Sequence, residues 1–258
     1  MTPRVQTPGD GVALITGAST GIGRAVALAM AQAGWRVIAV ARRAELLSAL
    51  AAEGAGRIVA CPCDVTDFAA FSAMVAEVEA REGAIAFAFL NAGRSIHMSV
   101  PGFDIAAIRA IYEVNVMGIF NGITALMPVM AARGRGQIAL CASVAGYGGL
   151  PRSTAYSSSK AAVISAAVGL AIDCRPLGLL IQCVNPGFVD TPLTRKNTFP
   201  MPFLMTPEAA AERCLKGFAD GRFEITFPRR MSFFLKILNL LPYALYIRLM
   251  RLARVKEI

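Results

Sequence analysis

Tyr156 and Lys160 stand four residues apart in the stretch Tyr-Ser-Ser-Ser-Lys, near the start of a segment that reads as a helix. Side chains at i and i+4 share one helical face. A phenol has a reference pKa near ~10, and a neighbouring ammonium favours the phenolate and lowers that value. Such a pair is a sound general acid and base for a carbonyl–alcohol couple near neutral pH. Ser143 ends the preceding apolar run, thirteen positions before Tyr156. Its hydroxyl could meet the same carbonyl oxygen. The spacing alone is common by chance, so its weight comes from the elements around it.

A second constellation lies near the N-terminus. Thr16-Gly17-Ala18-Ser19-Thr20-Gly21-Ile22-Gly23 joins an apolar strand to an Ala-rich helix. Glycines let a backbone approach a pyrophosphate, and a helix start offers free N–H groups and partial positive charge. The spacing is Gly-x3-Gly-x-Gly, not the Gly-x-Gly-x-x-Gly of the usual dinucleotide fingerprint. Read by itself, the run also suits a tight βα turn with no ligand. NAD-binding chains usually place an acid at the end of the next strand, for the ribose 2′-hydroxyl. Here that strand ends Val40-Ala41-Arg42-Arg43. Guanidinium groups suit a 2′-phosphate, which they bind through paired hydrogen bonds. The expected cofactor is therefore NADP(H) rather than NAD(H); the competing reading is a pair of solvated loop charges.

These residues need a scaffold, and the hydrophobic pattern supplies one. VALITG (Val12 to Gly17), the glycine turn, RAVALAMAQAG and WRVIAVA (Trp35 to Ala41) form strand, turn, helix and strand. That is one βαβ unit and implies a parallel pair. The alternation continues through strands at 57–65, 85–93, 136–143, 179–187 and 223–228, with helices at 45–54, 68–83, 108–134 and 156–178 between them. The strands read as nearly continuous apolar runs, as expected when helices cover both faces. The pattern predicts an α/β fold of three layers around a doubly wound, mostly parallel sheet. One domain is expected over 1–258, with a core at about 12–228 and a helical extension at 229–258. Residues 191–208 hold four prolines and no clear period, and are expected to form a loop or short-helix lid.

In this setting the chain resembles the classical short-chain dehydrogenase/reductase (SDR) family, from Val12 to about Pro228. Thr16 to Gly23 looks like that family's cofactor turn. Asp64-Val65 matches its adenine-contacting position, and Asn91-Ala92-Gly93 matches the motif after its fourth strand. Asn115, Ser143, Tyr156 and Lys160 match its four catalytic positions. Pro186-Gly187, Val189 and Thr191 match the segment that contacts the nicotinamide carboxamide. The resemblance implies a Rossmann fold and an oxidoreductase that moves hydride between a nicotinamide and a carbonyl or secondary alcohol. It further implies that Tyr156 protonates the developing alkoxide, and that Ser143 polarises the carbonyl oxygen. Lys160 would lower the Tyr156 pKa and bond the nicotinamide ribose, and Asn115 would hold a water that links Lys160 to solvent. Leu90 departs from the family, which often has a second Asn there; nothing catalytic depends on it.

Composition fits this picture. Hydrophobic residues make up 55% of the chain and charged residues 17%, the reverse of a disordered chain. The six cysteines include no Cys-x-x-Cys pair and stand with no His cluster, so no metal site is expected. They read as buried free thiols of a reducing compartment. The N-terminal MTPRVQTPGDG reads as neither signal peptide nor membrane anchor, so a cytoplasmic location is expected. His97, the single histidine, reads as a pocket-rim or loop residue.

The net charge of +9 is concentrated in the tail, where seven basic residues from Arg229 onward face one acid, Glu257. A nucleic-acid partner is not expected from this distribution. The uncharged run between Lys236 and Arg248 has eleven residues, broken by Asn239 and Pro242, which is too short to span a bilayer. A helix beyond Pro242 would gather Arg248, Arg251 and Arg254 on one arc, with Leu245, Tyr246, Leu249, Leu252 and Ala253 roughly opposite. Two readings stay open: docking on the enzyme's own body or a second subunit of a homodimer or homotetramer, or peripheral attachment to a membrane surface. The lid residues Phe199, Met201, Phe203, Leu204 and Met205 favour an apolar substrate, or serve as packing. The competing functional class is a non-catalytic NADP-binding regulatory or scaffold protein on the same fold.

Overall fold

The computed structural model describes residues 2–96, 98 and 102–255, with side chains through Leu252 in the last helix. His97 lies outside the described residues, as do Lys256 and Glu257 and the side chains of Ala253 and Arg254.

Among the described residues seven strands form one sheet: β1 (Val12–Thr16), β2 (Val37–Ala41), β3 (Ile58–Pro62), β4 (Ile85–Leu90), β5 (Gly136–Cys141), β6 (Leu179–Pro186) and β7 (Glu224–Phe227). Their order is β3-β2-β1-β4-β5-β6-β7, and each neighbouring pair is parallel. Chain direction across the sheet reverses between β1 and β4, the switch point where open α/β sheets bind ligands. β1, β2, β4 and β5 are buried along their whole length, which is why they read as apolar runs without alternation.

The helices are α1 (Gly21–Gln32), α2 (Ala44–Glu53), α3 (Phe68–Arg81), α4 (Ile105–Tyr112), α5 (Gly118–Ala132), α6 (Thr154–Asp173), α7 (Pro207–Asp220), α8 (Arg229–Asn239) and α9 (Tyr243–Val255). Successive strand residues serve opposite faces. Ala13 and Ile15 of β1 join Val26 of α1 and Phe218 of α7 in one core. Val12 and Leu14 join Phe71 of α3, Ile123 of α5 and Val163 of α6 in the other.

The single helix expected at 108–134 is a helical run over 105–132, in which a π turn at Glu113–Met117 separates α4 from α5. Together α4, the turn and α5 are long and apolar enough to cross a membrane, as is α6. Both runs bury apolar rows against the sheet, including Ile119, Leu126 and Met130 in one and Val163 and Ala167 in the other, as core helices do.

The tail folds back over the carboxyl ends of the strands. Ser232 and Leu238 of α8 are buried. Lys236 makes an ion pair with Glu224 of β7 and stands over the Tyr147 ring. From α9, the Tyr246 hydroxyl donates to the Gly149 carbonyl at 2.9 Å. Docking on the chain's own body thus accounts for part of the tail.

Candidate active site

The glycine turn follows the end of β1 and leads into α1. Gly17 has φ +68°, a left-handed conformation that glycine adopts at no steric cost. Gly23 packs where a Cβ would lie 2.4 Å from the Gly17 carbonyl oxygen, so only hydrogen fits. Thr20 is the N-cap of α1 and makes no side-chain cap hydrogen bond. The first N–H groups of α1 are left for a ligand. Across the switch point, the Thr16 hydroxyl accepts from the backbone N–H groups of Asn91 and Ala92 at 2.8 and 3.0 Å. Asn91 donates in return to the Thr16 carbonyl at 3.0 Å. Thr16 therefore ties the glycine turn to the Asn-Ala-Gly segment.

A cleft of about 580 Å³ runs along this edge, within the range of cofactor sites. It is lined by Gly17, Ser19, Thr20, Gly21, Ile22, Arg42, Arg43, Asp64, Val65, Asn91, Ala92, Gly93, Ser143, Tyr156, Lys160, Pro186, Gly187, Val189 and Thr191. Gly23 supports the turn from behind the cleft wall, and Asn115 is fully buried beneath it. Sequence reasoning missed Ser95, Ile96, Thr194 and Lys196, which also line it. Their positions depend on loops that carry no periodic signal.

The two arginines diverge. Arg43 donates to the Ser19 hydroxyl at 2.9 Å and approaches Thr20. Arg42 is 72% exposed and lies 3.8 Å from Asp64. Of the two, Arg43 is the one built into the glycine turn. Asp64 shapes its own loop, accepting from the Thr66 amide at 3.0 Å and the Thr66 hydroxyl at 2.9 Å.

At the other end of the cleft, Ser143 follows β5 and accepts from the Ala145 amide at 3.1 Å. Tyr156 and Lys160 sit in the first two turns of α6. Lys160 is 3% exposed and donates to the Cys141 carbonyl at 2.7 Å, with its nitrogen 5.8 Å from the Tyr156 ring centre. Asn115 lies in the π turn, a local insertion often found at functional sites. Its Oδ1 accepts from the Arg94 amide at 2.7 Å, and its Nδ2 donates to the Arg94 carbonyl and the Ser159 hydroxyl, each at 2.9 Å. Both amide protons are committed, so the side chain clamps the segment after β4.

Burial pushes the Tyr156 phenol up to about 12, and a hydrogen bond with Ser143 pulls the other way. Burial also lowers the Lys160 ammonium. The net direction is upward, against the downward pull that Lys160 is expected to exert. The ammonium is turned to a backbone carbonyl, and desolvation of the phenolate wins.

Residues 11–200 match the family model for short chain dehydrogenase. The chain belongs to the short-chain dehydrogenase family. It is 36% identical over 237 residues to an uncharacterized oxidoreductase of Myxococcus xanthus, covering 91% of this chain and 94% of the relative. It is 33% identical over 220 residues to a 3-oxoacyl-[acyl-carrier-protein] reductase of Thermotoga maritima, covering 82% and 84%. The crystal structure of a short-chain dehydrogenase from Streptomyces avermitilis superposes with a TM-score of 0.81 at 28% identity, covering 95% and 97% of the two chains. The short-chain dehydrogenases are nicotinamide-dependent oxidoreductases acting on small molecules, and the expected fold is the observed one.

Beside this cleft, the dehydrogenase has a second cavity of about 230 Å³. Ser143, Tyr156, Gly187, Leu193 and Thr194 line both. Its remaining walls include Val144, Leu150, Pro151, Phe188, Phe199, Met231 and Met250. Of the apolar lid residues, Phe199 lines the cavity and meets the Phe188 ring edge-on at 5.9 Å. Phe203 and Leu204 are exposed, and Met205 packs on the core. The apolar wall comes as much from the tail, through Met231 of α8 and Met250 of α9, as from the lid. The family match stops at residue 200, before either methionine.

Proposed function

We propose that this dehydrogenase interconverts an apolar carbonyl compound and its secondary alcohol with NADP(H), using Tyr156 as general acid and base. One observation carries the proposal: Ser143 and Tyr156 belong to the walls of both the dinucleotide-sized cleft and the apolar cavity. A carbonyl at that junction reaches both hydroxyls while its apolar body fills the smaller cavity.

The residues present fit a dinucleotide, since the α1 N-terminus is uncapped at the cleft and Gly17 and Gly23 leave no side chain in the way. Ser19, Thr20, Gly21 and Ile22 would hold the pyrophosphate, and Asp64 and Val65 the adenine. Asn91, Ala92 and Gly93 would line the middle of the cofactor, and Pro186, Gly187, Val189 and Thr191 its carboxamide end. Arg43, reinforced by Arg42, supports NADP(H) over NAD(H), because two guanidinium groups face the end where an acid would select NAD. When bound, the nicotinamide supplies hydride in reduction and takes it in oxidation.

Ser143 orients and polarises the carbonyl oxygen. Tyr156 delivers the proton as oxygen becomes alkoxide, and removes it in the reverse direction. A phenol held at about 12 stays protonated at neutral pH, which suits the reductive step. Lys160 fixes the cofactor ribose and resupplies Tyr156. Asn115 positions the segment from Arg94 onward and stands beside the relay, with one Oδ1 lone pair left for a water. Oligomerisation as a homodimer or homotetramer belongs to the same proposal, supported by Phe120 of α5 and Val168 and Ile172 of α6, which stay exposed. We extend it to a cytoplasmic location and to membrane-surface contact through residues 229–258.

The test is oxidation of NADPH and NADH with a panel of apolar ketones, 3-oxoacyl chains included because of the Thermotoga maritima relative. NADPH turnover on apolar members supports the proposal. Cofactor binding without turnover on a broad panel would instead make this a cofactor-binding scaffold.

A further inference from the structure

Docking of α8 and α9 on the body uses only one strip of each helix. Met231, Ser232, Leu235 and Leu238 of α8 turn inward, and Tyr246 and Met250 of α9 do the same. Much of what remains is apolar and uncovered. Phe233 and Ile237 on α8 with its C-cap Leu240, and Leu245, Leu249 and Leu252 on α9, are all exposed and follow i, i+4, i+7 spacing. Leu240 and Tyr243, on either side of the Pro242 turn, are each 83% exposed. No surface helix of a free-standing protein gains from such a stripe, and contiguous exposed apolar surface marks an interaction site.

The charges beside these stripes choose the partner. Arg229, Arg230, Arg248 and Arg251 are exposed, while Lys236 is taken up by Glu224. A second copy docking symmetrically through this face would bring two basic patches together. An anionic bilayer satisfies both features, taking apolar side chains between its headgroups and arginines against its surface charge.

We infer that α8 and α9 form a docking surface for anionic lipid, and that they hold against the membrane the cavity wall they supply through Met231 and Met250. The helices lie in the interface and do not span it, since α8 and α9 have 11 and 13 residues and a span needs about 20. Substrate delivery from the bilayer follows from this and rests on the reductase proposal. Lipid docking does not rest on it and is measured without turnover.

The test mixes the full chain with vesicles of phosphatidylcholine alone, or of equal parts phosphatidylcholine and phosphatidylglycerol, and reads the bound fraction by sedimentation. Two double variants accompany it: Phe233→Ser with Leu245→Ser, and Arg248→Glu with Arg251→Glu. All four side chains are exposed and lie outside the catalytic and cavity walls, so melting temperature and turnover of a water-soluble ketone should match wild type. The wild-type chain should bind the anionic vesicles at least about tenfold more tightly than the neutral ones, and each double variant should lose about tenfold or more. Added salt should weaken wild-type binding, which needs no variant to fold. A wild-type chain that stays in the supernatant, or binds both vesicles equally, overturns the inference. So does a change of oligomeric state in the variants with no vesicle binding in the parent, which would assign the face to a second copy.

Discussion

Lys160 donates to the Cys141 carbonyl at 2.7 Å, and this bond turns the ammonium away from the phenol it is expected to serve. Lys160 still supplies a buried positive charge near Tyr156, 5.8 Å from its ring centre. Its removal leaves the Ser143 hydrogen bond as the one pull against burial and moves the phenol further up. In Lys160→Met, the pH profile of alcohol oxidation should shift to higher pH by about one unit, and kcat should fall on the order of 100-fold. A pH–rate profile of both proteins checks this. An unshifted profile would show that Lys160 does not tune Tyr156.

Partial burial of Tyr156 also has a consequence for stability. Its folded-state pKa, about 12, exceeds the ordinary value near ~10. A raised folded pKa contributes stability that is complete below the unfolded value and is lost as pH rises through the folded one. Between pH ~10 and ~12, the wild-type chain should therefore lose up to about 2 kcal/mol relative to Tyr156→Phe. Denaturant unfolding across that range measures it; parallel curves for the two proteins would contradict the raised phenol pKa.

Arg43 binds the Ser19 hydroxyl in the glycine turn, next to the helix start that would face phosphate. Arg43→Ala should raise KM for NADPH about 10- to 100-fold and change KM for NADH little. Steady-state kinetics with both cofactors decide it. Use of NADH by the wild-type enzyme at least as well as NADPH would overturn the cofactor assignment.

Gly23 leaves no room for a methyl group: an added Cβ would sit 2.4 Å from the Gly17 carbonyl oxygen and 2.6 Å from Asn91 Nδ2. Backbone must move to relieve the first contact. Gly23→Ala should lose about 1–3 kcal/mol in denaturant unfolding and weaken cofactor binding as the turn shifts. Wild-type stability in this variant would mean that the turn is looser than its packing indicates.

Much of the fold is legible in the sequence because the sheet is covered on both faces. Runs such as Val37–Ala41 and Ile85–Leu90 have no polar side and are short, as a strand covered on both faces requires. The π turn is illegible because Glu113 to Met117 keeps a helical composition; one extra residue in the turn leaves no mark on hydrophobic period. The clamp of Asn115 on Arg94 joins positions 21 apart, so only the folded contact reveals it. The upward shift of Tyr156 is illegible because spacing gives proximity to Lys160 but not the direction of its ammonium. The tail periodicity identifies an apolar face, yet cannot say that Tyr246 and Met250 dock while Leu245 and Leu249 do not.

The central claim is proton transfer by the Tyr156 hydroxyl at the junction of the two cavities. The direct measurement is NADPH oxidation with an apolar ketone turned over by the wild-type chain, compared with Tyr156→Phe, alongside cofactor binding to each. The account predicts unchanged NADPH binding and a fall in kcat of about 10²- to 10⁴-fold. Turnover by Tyr156→Phe within a few-fold of wild type would contradict it.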